Sequence, residues 1–183
     1  MWPRGCHPRA VSRHTGVEGN PVPVRVARWL VSGWIRPGWL VPLQGAAMVG
    51  HLLPGGPGVR PPAAVRVVGA AGLVAGVGLS TASALALGAD LTPATTPREG
   101  ASLRTGGVYA LTRHPLYTGL LVASTGAVLQ RGRLSTLLAA VGLAAVLHLK
   151  AVREEQVLAA RFGEPYARYL IRVPRLIGLP RGD

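Results

Sequence analysis

Between Arg66 and Asp90 the chain runs for 23 residues, Val67 to Ala89, without a charged side chain. A helix rises about 1.5 Å per residue and satisfies its own backbone hydrogen bonds, so ~20 apolar residues suffice to cross the hydrocarbon core of a bilayer. The run therefore predicts a transmembrane helix. Composition agrees: of 183 residues 49% are hydrophobic and only 15% charged, with a mean hydropathy of +0.33, whereas a soluble domain carries about 25% charged residues to keep its surface wet.

Three further apolar runs accompany it. Pro37 to Val59 lacks Arg, Lys, Asp and Glu, although Pro42, His51 and Pro54 interrupt it. Pro115 to Gln130 and Leu134 to Leu149 hold 16 residues each, separated by Arg131-Gly132-Arg133. Sixteen residues are short for a lone span, but two such runs around a basic turn predict a helical hairpin whose ends extend into polar flanks. The expected fold is all-α: a multi-pass transmembrane bundle of about four spans with a cytoplasmic C-terminal helical cap. Residues 1–28, with four Pro, five Arg and no apolar core for a signal peptidase, are expected as a disordered basic tail. Residues 29–90 would hold the N-terminal transmembrane helices and 91–183 the hairpin and the functional core.

Orientation follows from the basic residues. With the N-terminus inside, sixteen Arg and Lys fall in cytoplasmic segments and four, Arg60, Arg66, Arg131 and Arg133, in the outer turns, as the positive-inside rule expects. Both termini are then cytoplasmic in a cell-membrane protein. The net charge of +13 raises nucleic-acid binding as an alternative, but the basic residues lie between long uncharged runs rather than clustering with aromatics on a polar domain. Cys6 is the only cysteine, which excludes an intrachain disulfide and a thiolate metal site. Gly72 and Gly76 form a Gly-x-x-x-Gly pair, read as packing within the bundle rather than a dimer face. The terminal Arg181-Gly182-Asp183 is expected in the cytoplasm and carries no adhesive role.

Two segments hold the polar residues that need a chemical explanation. The first is Gly107-Val108-Tyr109-Ala110-Leu111-Thr112-Arg113-His114-Pro115-Leu116-Tyr117-Thr118-Gly119. Pro115 suits the first turn of a helix, which places His114 at its cap among backbone N–H groups that attract an anion; as a bland alternative, Arg113 and His114 merely anchor the helix at the membrane surface. The second segment begins at Lys150 and carries Glu154 and Glu155 where a helix leaves the bilayer. Lys150, Arg153 and Arg161 stand at intrahelical spacing, so a solvated ion-pair face competes with a site for an ammonium group.

The combination resembles the isoprenylcysteine carboxyl methyltransferase and phospholipid methyltransferase family. The resemblance rests on Gly-x-Tyr-x-x-x-Arg-His-Pro-x-Tyr-x-Gly at Gly107–Gly119, on Glu154-Glu155 followed by Phe162-Gly163-x-x-Tyr166-x-x-Tyr169, and on Val173-Pro174-Arg175. It covers about Leu91 to Ile177. It implies S-adenosyl-L-methionine as cofactor, bound without a Rossmann domain at the cytoplasmic face, and methyl transfer to a lipophilic small-molecule or lipid acceptor. By position, Ala101, Ser102, Leu103, Arg104, Tyr109, His114, Pro115, Leu116 and Tyr117 would line the cofactor site, and Glu154 would take the methionine amine. Arg113 or backbone amides near His114 would hold the carboxylate. Glu155, ~100° around the helix, is expected on the solvated face.

Lys150 falls where eukaryotic members place an Arg near the substrate; it keeps the charge but loses the bidentate fork. Ala101 falls where a polar residue is common, and both departures argue against an isoprenylcysteine carboxylate as substrate. Lipid amine, lipid-linked carboxylate, quinone-like or isoprenoid compound and thiol all remain open as acceptors. A carboxylate acceptor needs no base, whereas an amine needs one, with Glu154, Glu155 or solvent as candidates. The rival enzyme reading is an NADPH-dependent sterol-type reductase, whose typical Asn and acidic residue are here Leu116 and Leu120. A non-catalytic scaffold would have lost Tyr109, His114 or Glu154, and all three are present.

Overall fold

The computed structural model describes residues 37–53, 56–91, 100, 102–176 and 178, all within one compact unit, Trp34–Asp183. The tail at 1–28, Pro54, Ala101 and Arg181–Asp183 lie outside the described residues. Among the described residues the protein is helical. Five α-helices run as α1 Leu40–Gly50, α2 Ala63–Leu87, α3 Pro115–Arg131, α4 Leu134–Phe162 and α5 Glu164–Arg172.

Two helical runs are long and apolar enough to cross a membrane: Ala63–Asp90, with mean hydropathy 1.7, and Leu134–Phe162, with 1.8. The expected first span does not run unbroken to Val59. Its helix stops at Gly50, where the His51 ring bonds back to the Ala47 carbonyl at 2.8 Å and a two-residue turn follows. At 11 residues α1 extends about 16 Å, and α3, at 17 residues, about 25 Å.

The hairpin forms as its pattern predicts. Gly132 ends α3 with φ 56° and ψ 32°, a left-handed conformation that a side chain would strain. Val59 N–H donates to the Gly132 carbonyl at 3.0 Å and Leu134 N–H to that of Pro57 at 3.0 Å, so the turn before α2 is zipped to the hairpin turn.

The closest packing joins α2 to α3. A Cβ placed on Gly76 would collide with backbone atoms of Gly119 and Ala123, and one on Gly69 with the backbone of Gly126 and Gln130. Gly119 and Gly126 meet the α2 backbone in the same way. Helices lacking side chains at the crossing gain dispersion contacts over their full length, which matters where water offers no hydrophobic drive. The Gly72/Gly76 pair is therefore used inside the bundle. On the other side of α2, Val74 and Leu85 are 72% and 77% exposed, an apolar surface suited to lipid.

Two clusters form the core. Tyr117, Leu143, Leu147 and Ala151 join α3 to α4, with Ala47 of α1 against them. Tyr166 and Tyr169 of α5, with Val173 just past its end, pack against Leu103, Leu158 and Phe162. Gly163, with φ 54°, breaks α4 and lets α5 fold back over its polar end.

Candidate active site

Where α4 turns from apolar to charged, side chains of α3, α4 and α5, with Gln44 of α1, Leu87 of α2 and the segment 102–114, line a cavity of about 330 Å³, within the range of small-molecule sites. Its walls include Ser102, Leu103, Arg104, Tyr109, Arg113, His114, Pro115, Leu116, Tyr117, Lys150 and Glu154. Every residue expected at the site lines this one cavity, except Ala101, which lies outside the described residues.

His114 is the N-cap of α3, and Pro115 fills the first helical position. The residue before the proline is held out of the helical region, with φ −126° and ψ 66° at His114, and Arg113 N–H donates to the Pro174 carbonyl at 2.9 Å and His114 N–H to that of Arg175 at 3.2 Å. Thr112 and Thr118 hydroxyls donate to the carbonyls of Arg175 and Leu176, at 3.0 and 2.8 Å. The C-terminal strand of chain is thus stitched along the entrance to α3. The amides of Arg113 and His114 are consumed by it, which removes them as donors to a ligand carboxylate and leaves Leu116 and Tyr117 as the first-turn amides.

The two adjacent carboxylates have different surroundings. Glu154 lines the cavity and accepts a hydrogen bond from the Tyr117 hydroxyl at 3.0 Å. Glu155 is buried, and three cations from other elements close on it: Arg175 donates to both its oxygens at 2.6 to 3.0 Å, Arg113 stands at 2.9 Å and His114 at 3.4 Å. The expectation of a solvated Glu155 is overturned. The face opposite the cavity is covered by the returning C-terminal segment, so the 100° offset turns Glu155 into protein rather than water.

His114 lies between both carboxylates, its Nδ1 at 3.6 Å from Glu154 and its Nε2 at 3.4 Å from Glu155, and its ring stacks on Tyr117 at 5.4 Å and 8°. Burial pushes the imidazole down, but hydrogen bonds and charge from the two glutamates outweigh it and hold it above its ordinary value of 6.5. Tyr109 is buried, shares a 3.0 Å hydrogen bond with Ser83 of α2, and its phenol is pushed up by that burial. Tyr169 donates to the Tyr109 carbonyl at 2.6 Å, tying α5 to the same wall.

Lys150 is 2% exposed, donates to Gln44 of α1 at 2.6 Å, and sits 5.5 Å from the Tyr117 ring centre. Gln44, Asp90, Leu158, Phe162, Tyr166 and Tyr169 line the cavity too and were not among the expected site residues. Signals existed for some: Gln44 is a rare polar residue in an apolar run, and Phe162, Tyr166 and Tyr169 recur at helical spacing. The Tyr166 hydroxyl is buried with no hydrogen-bond partner among the described residues. Asp90 pairs with Arg104 at 3.6 Å across the cavity mouth.

Fold and site together define a helical membrane protein with a small-molecule cavity at the polar end of its longest helices. The chain belongs to the phospholipid methyltransferase family, whose model matches residues 64–165, and is on that ground a membrane methyltransferase. No curated protein matches it by sequence.

Proposed function

We propose that the protein transfers a methyl group from S-adenosyl-L-methionine to a lipophilic acceptor at the cytoplasmic face of a multi-pass bundle of about four spans. The observation that carries this reading is the convergence of Glu154, Tyr109, His114, Tyr117 and Lys150 on one cavity at the end of long apolar helices. The donor set fits the cofactor: a carboxylate for an ammonium, apolar Leu103, Leu158 and Phe162 for a flat base, and cations for a carboxylate. When bound, the cofactor supplies an electrophilic methyl on a sulfonium, displaced in line by the acceptor.

The chain's own residues do the rest. Glu154, held by Tyr117, binds the amine; Arg113 and the first-turn amides of α3 face the carboxylate. The orphan Tyr166 hydroxyl provides a buried donor on the same wall. Lys150, braced by Gln44, places a cation at the boundary between the cavity and the apolar helices, where an acceptor arriving from lipid would sit. Arg113 and Arg175 occupy both oxygens of Glu155, which removes it as a general base for an amine acceptor, and with Glu154 engaged by the amine and Tyr117, solvent is left as the base. Nothing in the site favours a reductase or a scaffold. Membranes holding the parent, incubated with methyl-labelled cofactor, should transfer label into extracted lipid, and Glu154→Gln membranes should not. Label that stays entirely in the aqueous phase for both would overturn the assignment.

A further inference from the structure

At the far end of α3 from the cavity, about 25 Å away along the helix, the turn before α2 and the hairpin turn enclose a second cleft of about 450 Å³. Arg60, Arg66, Arg131 and Arg133 line it, with backbone at Gly56, Gly58 and Val59. No carboxylate among the described residues pairs with any of the four. The chain carries no Asp or Glu from residue 19 to 89 or from 100 to 153, so neither turn supplies one. Arg131 instead donates to the His51 carbonyl.

The two turns are locked together by the Gly58–Arg133 bridge and the Val59 and Leu134 hydrogen bonds. A Cβ on Gly58 or Gly132 would strike the opposing strand of that bridge, so the spacing of the arginines is set by backbone contact. Val59, Val67, Leu134 and Leu138, on or beside these turns in sequence, are exposed. Guanidinium groups bind phosphate oxygens through paired N–H donors, and the adjoining apolar surface suits acyl chains.

We propose that this cleft binds the phosphate of an anionic phospholipid in the leaflet opposite the cofactor cavity. Four cations with no carboxylate partner among the described residues, on two turns held together by backbone bonds, would match a net-negative phosphodiester with two chains descending along α2 and α4. Zwitterionic lipids carry their own cation against the phosphate and fit less well. The site does not depend on methyl transfer, and its test does not use activity.

The full chain, purified in detergent, would be titrated with dioleoylphosphatidylglycerol or dioleoylphosphatidylcholine under native mass spectrometry. The parent should bind the anionic lipid roughly tenfold or more tightly than the zwitterionic one. The double variant Arg60→Gln/Arg133→Gln should lose that preference, Arg60→Lys/Arg133→Lys should keep most of it, and Arg168→Gln on α5 should leave it intact. Arg60→Gln alone, on an exposed turn, provides a fallback should the double variant fold poorly. Equal affinity for the two lipids in the parent, an unchanged preference in the Gln variants, or displacement of the anionic lipid by millimolar inorganic phosphate would each overturn the proposal, the last by showing a small-anion site.

Discussion

Glu154 and Glu155 are neighbours in sequence with opposite expected phenotypes. Glu154→Gln removes a cavity carboxylate that is 29% exposed, so the fold should survive. Affinity for S-adenosylhomocysteine should fall by about tenfold or more, the worth of a charge-assisted hydrogen bond. Glu155→Gln strands Arg113, His114 and Arg175 without their shared counter-charge. Breaking a fully buried pair costs about 3–5 kcal/mol; with Arg175 36% exposed, roughly 2–3 kcal/mol is expected after solvent screening. Thermal unfolding and calorimetric titration of both variants in detergent would separate the two outcomes, and an unchanged melting profile for Glu155→Gln would contradict its structural role. His114 adds a pH dependence. Its folded pKa lies above the ordinary 6.5, so its stabilising contribution is complete below 6.5 and is lost as pH rises through the raised value. Melting temperature should therefore decline on going up from about pH 6.5, and His114→Gln should flatten that decline.

Elements meet through glycine at α2 and α3. Gly76→Val inserts a branched side chain where the α3 backbone already stands, and overpacking of about 1–3 kcal/mol or more is expected. Gly78, two residues on, has nothing within 4 Å of its would-be Cβ. Gly78→Val should therefore leave yield and thermal stability near the parent's, whereas Gly76→Val should lower both. Similar behaviour of the two variants in size-exclusion chromatography and thermal unfolding would show that the α2–α3 crossing is not the tight contact described. Uncharged run length located both helices within a few residues, because the run bounded by Arg66 and Asp90 and the Pro115 start are local signals. The first span was overextended: a run free of Arg, Lys, Asp and Glu was read as a span to Val59, but the chain turns after Gly50, where His51 satisfies a backbone carbonyl and shares a 2.6 Å hydrogen bond with Ser124 of α3.

At the scale of the molecule, the proposed orientation places the cofactor cavity in the cytoplasm and the arginine cleft outside. Gly56→Cys, in a Cys6→Ser background, should react with a membrane-impermeant maleimide added to intact cells, while a C-terminal tag should stay protected. The reverse pattern would invert the topology and move the cavity to the outer face. Removal of residues 2–23 should leave membrane insertion and S-adenosylhomocysteine affinity unchanged, since that stretch contains no apolar span and no part of the signature.

The sequence by itself determined the class of environment, the helical hairpin and the residues that gather at the cavity, because each leaves a local mark. An uncharged run reports a membrane-length helix, Arg131-Gly132-Arg133 reports a turn, and the order of polar residues from Gly107 to Glu154 carries the family resemblance that implied which residues gather. Only the tertiary structure decided what each polar residue does there. Glu155 faces the returning Arg175 instead of water, the amides of Arg113 and His114 are taken by the C-terminal segment, and Gln44 reaches Lys150 across 106 residues. Four arginines from two separate turns likewise become one cleft. Those roles depend on which distant backbone lies against which helix face, and a local pattern of residues carries no record of that neighbour.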